Sequence, residues 1–162
     1  MRVDYAIESV PLGTGGAIRA ALREAGEKSV LVLNGDTFLD ADYAAMLRFH
    51  AAEAAALTIA VTHREDIARY GGVVLDGSRV AGFQEKGRSG PGWINAGAYA
   101  IEREMRWPAH LKEKFSFETD FLAPEIARLA PAACKVDGFF LDIGVPEDLD
   151  RAQVELADFL PR

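Results

Sequence analysis

The sequence predicts an α/β sandwich built around a mixed sheet, and three observations carry that prediction. A glycine-rich segment feeding a helix is followed by a buried-looking strand, a second helix and a third strand, in β-α-β-α-β order. A hairpin with an Asp-Gly-Ser turn then interrupts the alternation, which adds antiparallel strands to the sheet. The 162 residues suffice for one domain with a substantial core, and no repeat, linker or low-complexity stretch marks a second.

Residues 2–7 alternate in polarity and are expected as a short strand. Pro11-Leu12-Gly13-Thr14-Gly15-Gly16 then leads into a helix whose apolar stripe is Ala17, Ile18, Ala21, Leu22 and Ala25, with Gly26 as its stop. Ser29 to Leu33 is a continuous apolar run, the pattern of a strand covered on both faces in a parallel sheet. Asp40 is expected to cap an alanine-rich helix over roughly 41–54. Leu57 to Val61 is the next strand, and Val73–Leu75 with Val80–Gln84 forms the hairpin. Residues 94–101 form a further strand, and Ser116 or Thr119 opens a helix that runs to Leu129 past Pro124. Lys135 to Asp142 carries strand material interrupted by Gly138. Pro146, Glu147 and Asp148 open the last helix, with proline in the first turn and acids at its positive end.

Composition sets outer bounds on function. The net charge of -7 and the lack of a basic run argue against binding a nucleic-acid backbone. Cys134 is the single cysteine, so no intrachain disulfide forms and a reducing compartment fits. No apolar run reaches the ~18–20 residues that span a bilayer, and the first residues do not read as a signal peptide. Cytoplasm is the expected location.

Several segments could carry chemistry. Asn34-Gly35-Asp36 ends a predicted strand, where open α/β sheets bind ligands, and Asp36 there is a natural ligand for Mg²⁺ on phosphate oxygens. An Asx-turn is the other use of the same residues. Asp142 lies in an apolar stretch, where an unpaired charge is costly, so either a metal ion or a turn hydrogen bond should satisfy it. The Pro11–Gly16 loop lets backbone approach a ligand but lacks both the Walker lysine and the dinucleotide spacing. Glu85 and Asn95 can bind hydroxyls and Lys86 a phosphate, although a solvated pair at a hairpin end explains Glu85-Lys86 equally. His50, His63 and His110 have no metal-ligand spacing and are expected on the surface, with Trp93 and Trp107 in the core or a pocket wall.

Taken in order, these segments resemble the sugar-1-phosphate nucleotidylyltransferase family over nearly the whole chain. Glu8 to Gly16 resembles its base-recognition segment, and Asn34-Gly35-Asp36 its first metal aspartate. Arg69-Tyr70-Gly71-Gly72-Val73-Val74 is similar to its step beside the sugar, Phe83-Gln84-Glu85-Lys86 to its glutamate-lysine pair, and Ile94-Asn95-Ala96-Gly97-Ala98-Tyr99 to its sugar-contacting strand. Leu141 to Asp148 resembles the second metal aspartate and the helix after it. Pro11–Ile18 and Asp142–Asp148 look most like guanylyltransferases acting on mannose 1-phosphate or D-glycero-D-manno-heptose 1-phosphate.

The resemblance implies a Rossmann-like α/β/α sandwich with a mixed, mostly parallel sheet of the nucleotide-diphospho-sugar transferase type. It also implies attack of a sugar 1-phosphate oxygen on the α-phosphorus of a nucleoside triphosphate, GTP being favoured, with release of pyrophosphate. Asp36 and Asp142 would hold Mg²⁺, and Lys86 the sugar phosphate. Glu8, Pro11, Leu12, Gly13, Thr14 and Gly15 would bind the nucleotide, and Tyr70, Gly71, Glu85, Asn95 and Gly97 the sugar. The family's Gly-Gly-x-Gly-Thr-Arg signature and its following lysine have no counterpart here, so residues 1–162 read as a single domain truncated at its N-terminus, with an internal methionine taken as the start. The expectations are little transferase activity in this chain, an open sheet edge, and a homodimer across that edge. The alternative is an inactive nucleotide-sugar-binding or interaction module. A dehydrogenase is disfavoured by the absent dinucleotide fingerprint.

Overall fold

In the computed structural model, residues 3–159 are described. Eight strands and four α-helices follow one another as α1 (Gly13–Glu24), β1 (Ser29–Leu33), β2 (Thr37–Leu39), α2 (Tyr43–Ala52), β3 (Leu57–Arg64), β4 (Val73–Asp76), β5 (Arg79–Phe83), β6 (Gly92–Glu102), a π-helical turn (Phe117–Leu122), α3 (Ile126–Leu129), β7 (Ala132–Lys135), β8 (Phe140–Asp142) and α4 (Pro146–Glu155), closed by a 3₁₀ turn at Leu156–Phe159. Six strands form one sheet in the order β1-β6-β3-β7-β5-β4, and β2 pairs with β8 in a separate ribbon.

Side-chain alternation along the two central strands makes the sandwich. Leu57, Ile59 and Val61 of β3, with Tyr99 and Ile101 of β6, face Leu22 of α1 and the aromatic residues Phe115, Phe117 and Phe121. Ala60 of β3, with Ile94, Ala96, Ala98 and Ala100 of β6, faces Met46 of α2. Helical layers therefore lie on both faces of a mixed sheet, as the sequence predicted.

The expected mostly parallel sheet needs correction. Among the described strands β3–β7 is the parallel pair, whereas β1–β6, β3–β6, β5–β7, β4–β5 and β2–β8 are antiparallel. Nor is β1 the strand covered on both faces: it lies at the end of the sheet, Leu33 is 52% exposed, and the doubly buried strand is β3. An apolar run shows that a strand can be covered, while its place in the sheet depends on partners distant in sequence. Residues 3–7 form no strand either, and Tyr5 and Ile7 are 85% and 91% exposed; Arg2 lies outside the described residues.

Three helix readings shift for local reasons. α1 begins at Gly13, not after Gly16, and ends before Ala25, which is extended. Asp42, not Asp40, caps α2, its carboxylate accepting the Ala45 N–H at 2.8 Å. The helix expected from Ser116 to Leu129 divides into the π-helical turn and the short α3. Ser116 caps it as predicted, but Pro124 lacks an N–H, and Ala123 donates back to the Glu118 carbonyl at 2.9 Å.

His50 corrects a further expectation, because it is fully buried while His63 and His110 are exposed. Its Nδ1 lies 2.8 Å from Thr58 Oγ1 and its Nε2 lies 3.2 Å from Glu102 Oε1. A carboxylate accepts only, so Nε2 carries the ring proton and Nδ1 accepts from the threonine. Burial holds the His50 pKa below the usual histidine value against the opposing pull of Glu102.

Candidate functional site

The β2–β8 ribbon places the two aspartates. Thr37 sits opposite Asp142 in the antiparallel register, and the Ile143 N–H donates to the Asp36 carbonyl at 2.9 Å, so the ends of the two strands are held side by side. Asp36 and Asp142 line one cavity of about 240 Å³, with Arg69, Tyr70, Lys86, Asn95 and Glu118 around them. The Gly144 N–H donates to Asp142 Oδ1 at 2.8 Å, which realises the turn reading and leaves Oδ2 without a hydrogen bond among the described residues.

A bulge in β6 aims the next pair of residues. Ile59 and Val61 of β3 lie opposite Tyr99 and Asn95, so the segment between those two on β6 bows out of register. Gly97 sits in this bulge with φ +70°, and a side chain there would meet Thr37 Oγ1 at 2.7 Å. Its carbonyl accepts the Asn34 N–H at 2.8 Å. Gly97 thus fastens the sheet to the loop carrying Asp36, which is a reason for glycine independent of any sugar contact.

A second cavity, of about 200 Å³, is lined by Tyr70–Val73, Phe83–Lys86, Asn95, Glu118 and Thr119. It contains Tyr70, Gly71, Glu85 and Asn95, four of the five residues assigned to sugar binding, while Gly97 lines the first cavity. Tyr70, Lys86, Asn95 and Glu118 line both, so the two spaces meet at these side chains.

Charge around the first cavity is arranged through α4. Arg69 donates to the Asp148 carboxylate, and Arg151 donates to the same carboxylate at 2.7 Å. The hydrogen bond from Arg69 is the main cause of an Asp148 pKa below the usual carboxylate value, with Arg151 reinforcing it. Asp148, expected only to complement the helix dipole, is therefore also the buried anchor for an arginine on the cavity rim.

The residues assigned to the nucleotide lie elsewhere. Glu8 Oε2 accepts the Leu12 N–H at 2.9 Å at the start of α1. The Gly15 N–H donates to the Phe115 carbonyl at 3.0 Å, and Thr14 Oγ1 accepts the Phe117 N–H at 2.9 Å. The Gly15 amide is thus already used and is not available to read a base edge. Glu8, Pro11, Leu12, Gly13, Thr14 and Gly15 are absent from the lining of both cavities. Trp107, expected in the core or a pocket wall, packs against the core, its ring lying 4.6 Å from Phe121 and 5.6 Å from Phe115.

The sequence reading missed Glu118 and gave Arg69 no role. Arg69 stood directly beside Tyr70, so its neighbour was the signal. Glu118 stood in the predicted first turn after a Ser116 cap, where an acid reads as dipole complement and nothing more.

Two carboxylates held side by side at the ends of the β2–β8 ribbon suit Mg²⁺, which keeps several waters and is bound through one or two carboxylates plus substrate phosphates. Among the described residues no three His, Cys, Asp or Glu side chains are grouped to cage a metal ion.

Comparison with known proteins places the chain. A family model described as nucleotidyl transferase matches residues 1–158. A D-glycero-alpha-D-manno-heptose 1-phosphate guanylyltransferase of Aneurinibacillus thermoaerophilus is 40% identical over 158 residues, covering 98% of this chain and 69% of its own length. A mannose-1-phosphate guanylyltransferase of Mycobacterium tuberculosis is 32% identical over 163 residues, covering 96% of this chain and 45% of its own. The crystal structure of HddC from Yersinia pseudotuberculosis complexed with GMP-PN superposes with a TM-score of 0.82 at 36% identity, over 98% of this chain and 68% of that one. A family match along almost the whole chain, together with the paired aspartates and the two joined cavities, shows that the chain belongs to the nucleotidyl transferase family.

Proposed function

We propose that the protein transfers a guanylyl group from GTP to a sugar 1-phosphate of manno configuration, mannose or heptose, releasing pyrophosphate. The observation that carries this reading is the junction of a carboxylate-lined cavity with a sugar-sized one at Tyr70, Lys86, Asn95 and Glu118. Guanylyl transfer and the manno sugar are supported by the names of the relatives.

In this reading Asp36 and Asp142 hold Mg²⁺, which would neutralise charge on the reacting phosphates. Lys86 stands where the sugar pocket meets the phosphate cavity and takes the sugar phosphate. Glu85 accepts sugar hydroxyls from the wall of the smaller cavity. Arg69, held by Asp148, supplies a second cation at the rim. Positioning and charge neutralisation are the whole of the protein's task, since the phosphates provide both nucleophile and leaving group. The nucleoside triphosphate substrate goes with a cytoplasmic location.

Among the described residues, Arg69 and Lys86 are the cations lining the phosphate cavity, against Asp36, Asp142 and Glu118. A triphosphate needs more positive charge than that. The same charge count is what favours the second reading, a nucleotide-sugar-binding module without catalysis. The open edge at β1 supports a homodimer.

The test measures sugar-nucleotide formation and pyrophosphate release with Mg²⁺, each of four nucleoside triphosphates, and mannose or heptose 1-phosphate. The same protein is titrated calorimetrically with each sugar phosphate. Activity with GTP supports the enzyme; inactivity, with sugar-phosphate binding intact, leaves the binding module.

A further inference from the structure

Asn95 has two amide protons, and both are used within the protein. Nδ2 donates to the Tyr99 hydroxyl at 2.7 Å and to Glu118 Oε1 at 2.8 Å, while Oδ1 accepts the Gly97 N–H at 3.1 Å. The Tyr99 hydroxyl donates in turn to Glu118 Oε1 at 3.3 Å, closing a ring of three side chains. Tyr99 is buried, and burial, helped by the nearby Glu118 charge, pushes its pKa upward, so the phenol keeps its proton. A neutral amide has no third donor. Asn95 therefore has no hydrogen to offer a ligand.

Glu118 is the member with spare capacity. Its Oε1 takes both bonds, and among the described residues Oε2 takes none. The π-helical turn holds it there: Ser116 Oγ accepts the Thr119 N–H at 3.3 Å, and the Glu118 carbonyl accepts the Ala123 N–H at 2.9 Å. The carboxylate lines both cavities, at the seam between the aspartate pair and the pocket that holds Glu85.

We infer that Glu118 Oε2 accepts a hydrogen bond from the 2-hydroxyl of a pyranose 1-phosphate, with Asn95 and Tyr99 as the residues that position the carboxylate. The inference rests on the proposed sugar 1-phosphate site and deepens it. The phosphate belongs among Asp36, Arg69, Lys86 and Asp142, and the ring belongs in the smaller pocket. What lies between them is the anomeric carbon, and the hydroxyl-bearing carbon next to it is C2. A carboxylate at that seam repels phosphate oxygens and accepts a hydroxyl proton, so recognition of the 2-position falls to Glu118. Asn95, expected to bond a sugar hydroxyl itself, acts through Glu118 instead.

The test is Glu118→Gln in the protein as its gene encodes it. Asn95 and Tyr99 keep an acceptor oxygen at their end, so the free edge changes from acceptor to donor. Calorimetric affinity is measured for mannose 1-phosphate and for the 2-deoxy-hexose 1-phosphate, together with the KM for GTP and the Mg²⁺ activation midpoint. Expected is a loss of about 10-fold or more for mannose 1-phosphate, the scale of one hydrogen bond to a charged group. The variant should show no loss for the 2-deoxy compound, and the GTP and Mg²⁺ values should not move. Tyr99→Phe should weaken mannose 1-phosphate binding less, with the same indifference to the 2-deoxy compound. Equal losses on both sugars overturn the inference, and so does unchanged binding. A shifted Mg²⁺ midpoint overturns it by making Glu118 a metal ligand. Wild-type protein that binds the sugar phosphate without turnover sinks the transferase reading alone, whereas failure to bind any pyranose 1-phosphate sinks both.

Discussion

Asp148, buried at the first turn of α4, accepts a hydrogen bond from Arg69 on the rim of the Asp36–Asp142 cavity, so the last helix sets the position of a cation 79 residues earlier in the chain. Arg69 also stacks over the Tyr70 ring, its guanidinium carbon 5.3 Å from the centroid, and Tyr70 meets Phe140 edge-on at 5.8 Å. The rim is thus braced from α4 through Arg69 and Tyr70 to β8.

Asp148→Asn should free Arg69 and lower kcat/KM for transfer by about 10-fold, less than the ~100-fold that outright removal of a charge-stabilising group costs. The pKa of Asp148 is lowered in the fold, so its contribution to stability is present above the unfolded carboxylate pKa and is lost as pH falls through the lower folded value. Thermal melts from pH 7 to pH 3 should show a shallower acid decline in the variant. Equal slopes would remove the brace.

Asp36→Asn and Asp142→Asn should each reduce Mg²⁺-dependent transfer by about 100-fold or more while leaving the melting temperature nearly unchanged. The Asp36 side chain makes no hydrogen bond among the described residues, which is why its loss should leave the fold alone. Transfer that survives both substitutions would place the metal elsewhere.

His50 should make the fold acid-sensitive just below neutrality. Its pKa is lowered by burial, so the unfolded chain binds the proton first as pH drops below the unfolded histidine value of about 6.5. Stability should fall between pH 7 and pH 5.5 in wild type, and His50→Gln should flatten that fall even though it lowers stability at pH 7. A variant with an unchanged slope would assign the acid sensitivity to other groups.

Gly13→Ala should destabilise the fold by about 1–3 kcal/mol. Gly13 has φ +70°, and an added side chain would meet the Phe115 carbonyl oxygen at 2.7 Å. Chemical denaturation gives the number directly; a neutral result would mean that the 12–16 and 113–117 segments separate at no cost.

The β1 edge should support association. β1 ends the sheet with Leu33 half exposed, and sedimentation of residues 1–162 should show a dimer at micromolar concentration. Leu33→Lys should shift it toward monomer. A monomer at every concentration in the unsubstituted chain would rule this edge out as an interface.

What the sequence made legible was local. The Asp76-Gly77-Ser78 turn between β4 and β5 could be read because Gly77 takes the left-handed backbone that the turn needs, with φ +59°. Pro146 likewise marks the first turn of α4 as written. Asp36 and Asp142 could be picked out, although only the β2–β8 pairing shows that they share one cavity. The edge position of β1, the burial of His50 and the use of both Asn95 amide protons all depend on side chains or strands outside any local window. Periodicity within a window carries none of that, so a lone histidine and a first-turn glutamate gave no sign of their roles.

The hydrogen bond from the Phe117 amide to the Thr14 hydroxyl spans 103 positions of sequence. Closing so long a loop costs entropy that is recovered only once the sheet is already in place. The turn bearing Glu118 should therefore be among the last parts to form. In native-state hydrogen exchange, amides at 116–123 should exchange ahead of those in β3 and β6, and a bound sugar phosphate should slow them selectively. The wall that grips the substrate would then also be the part of the fold that the substrate completes.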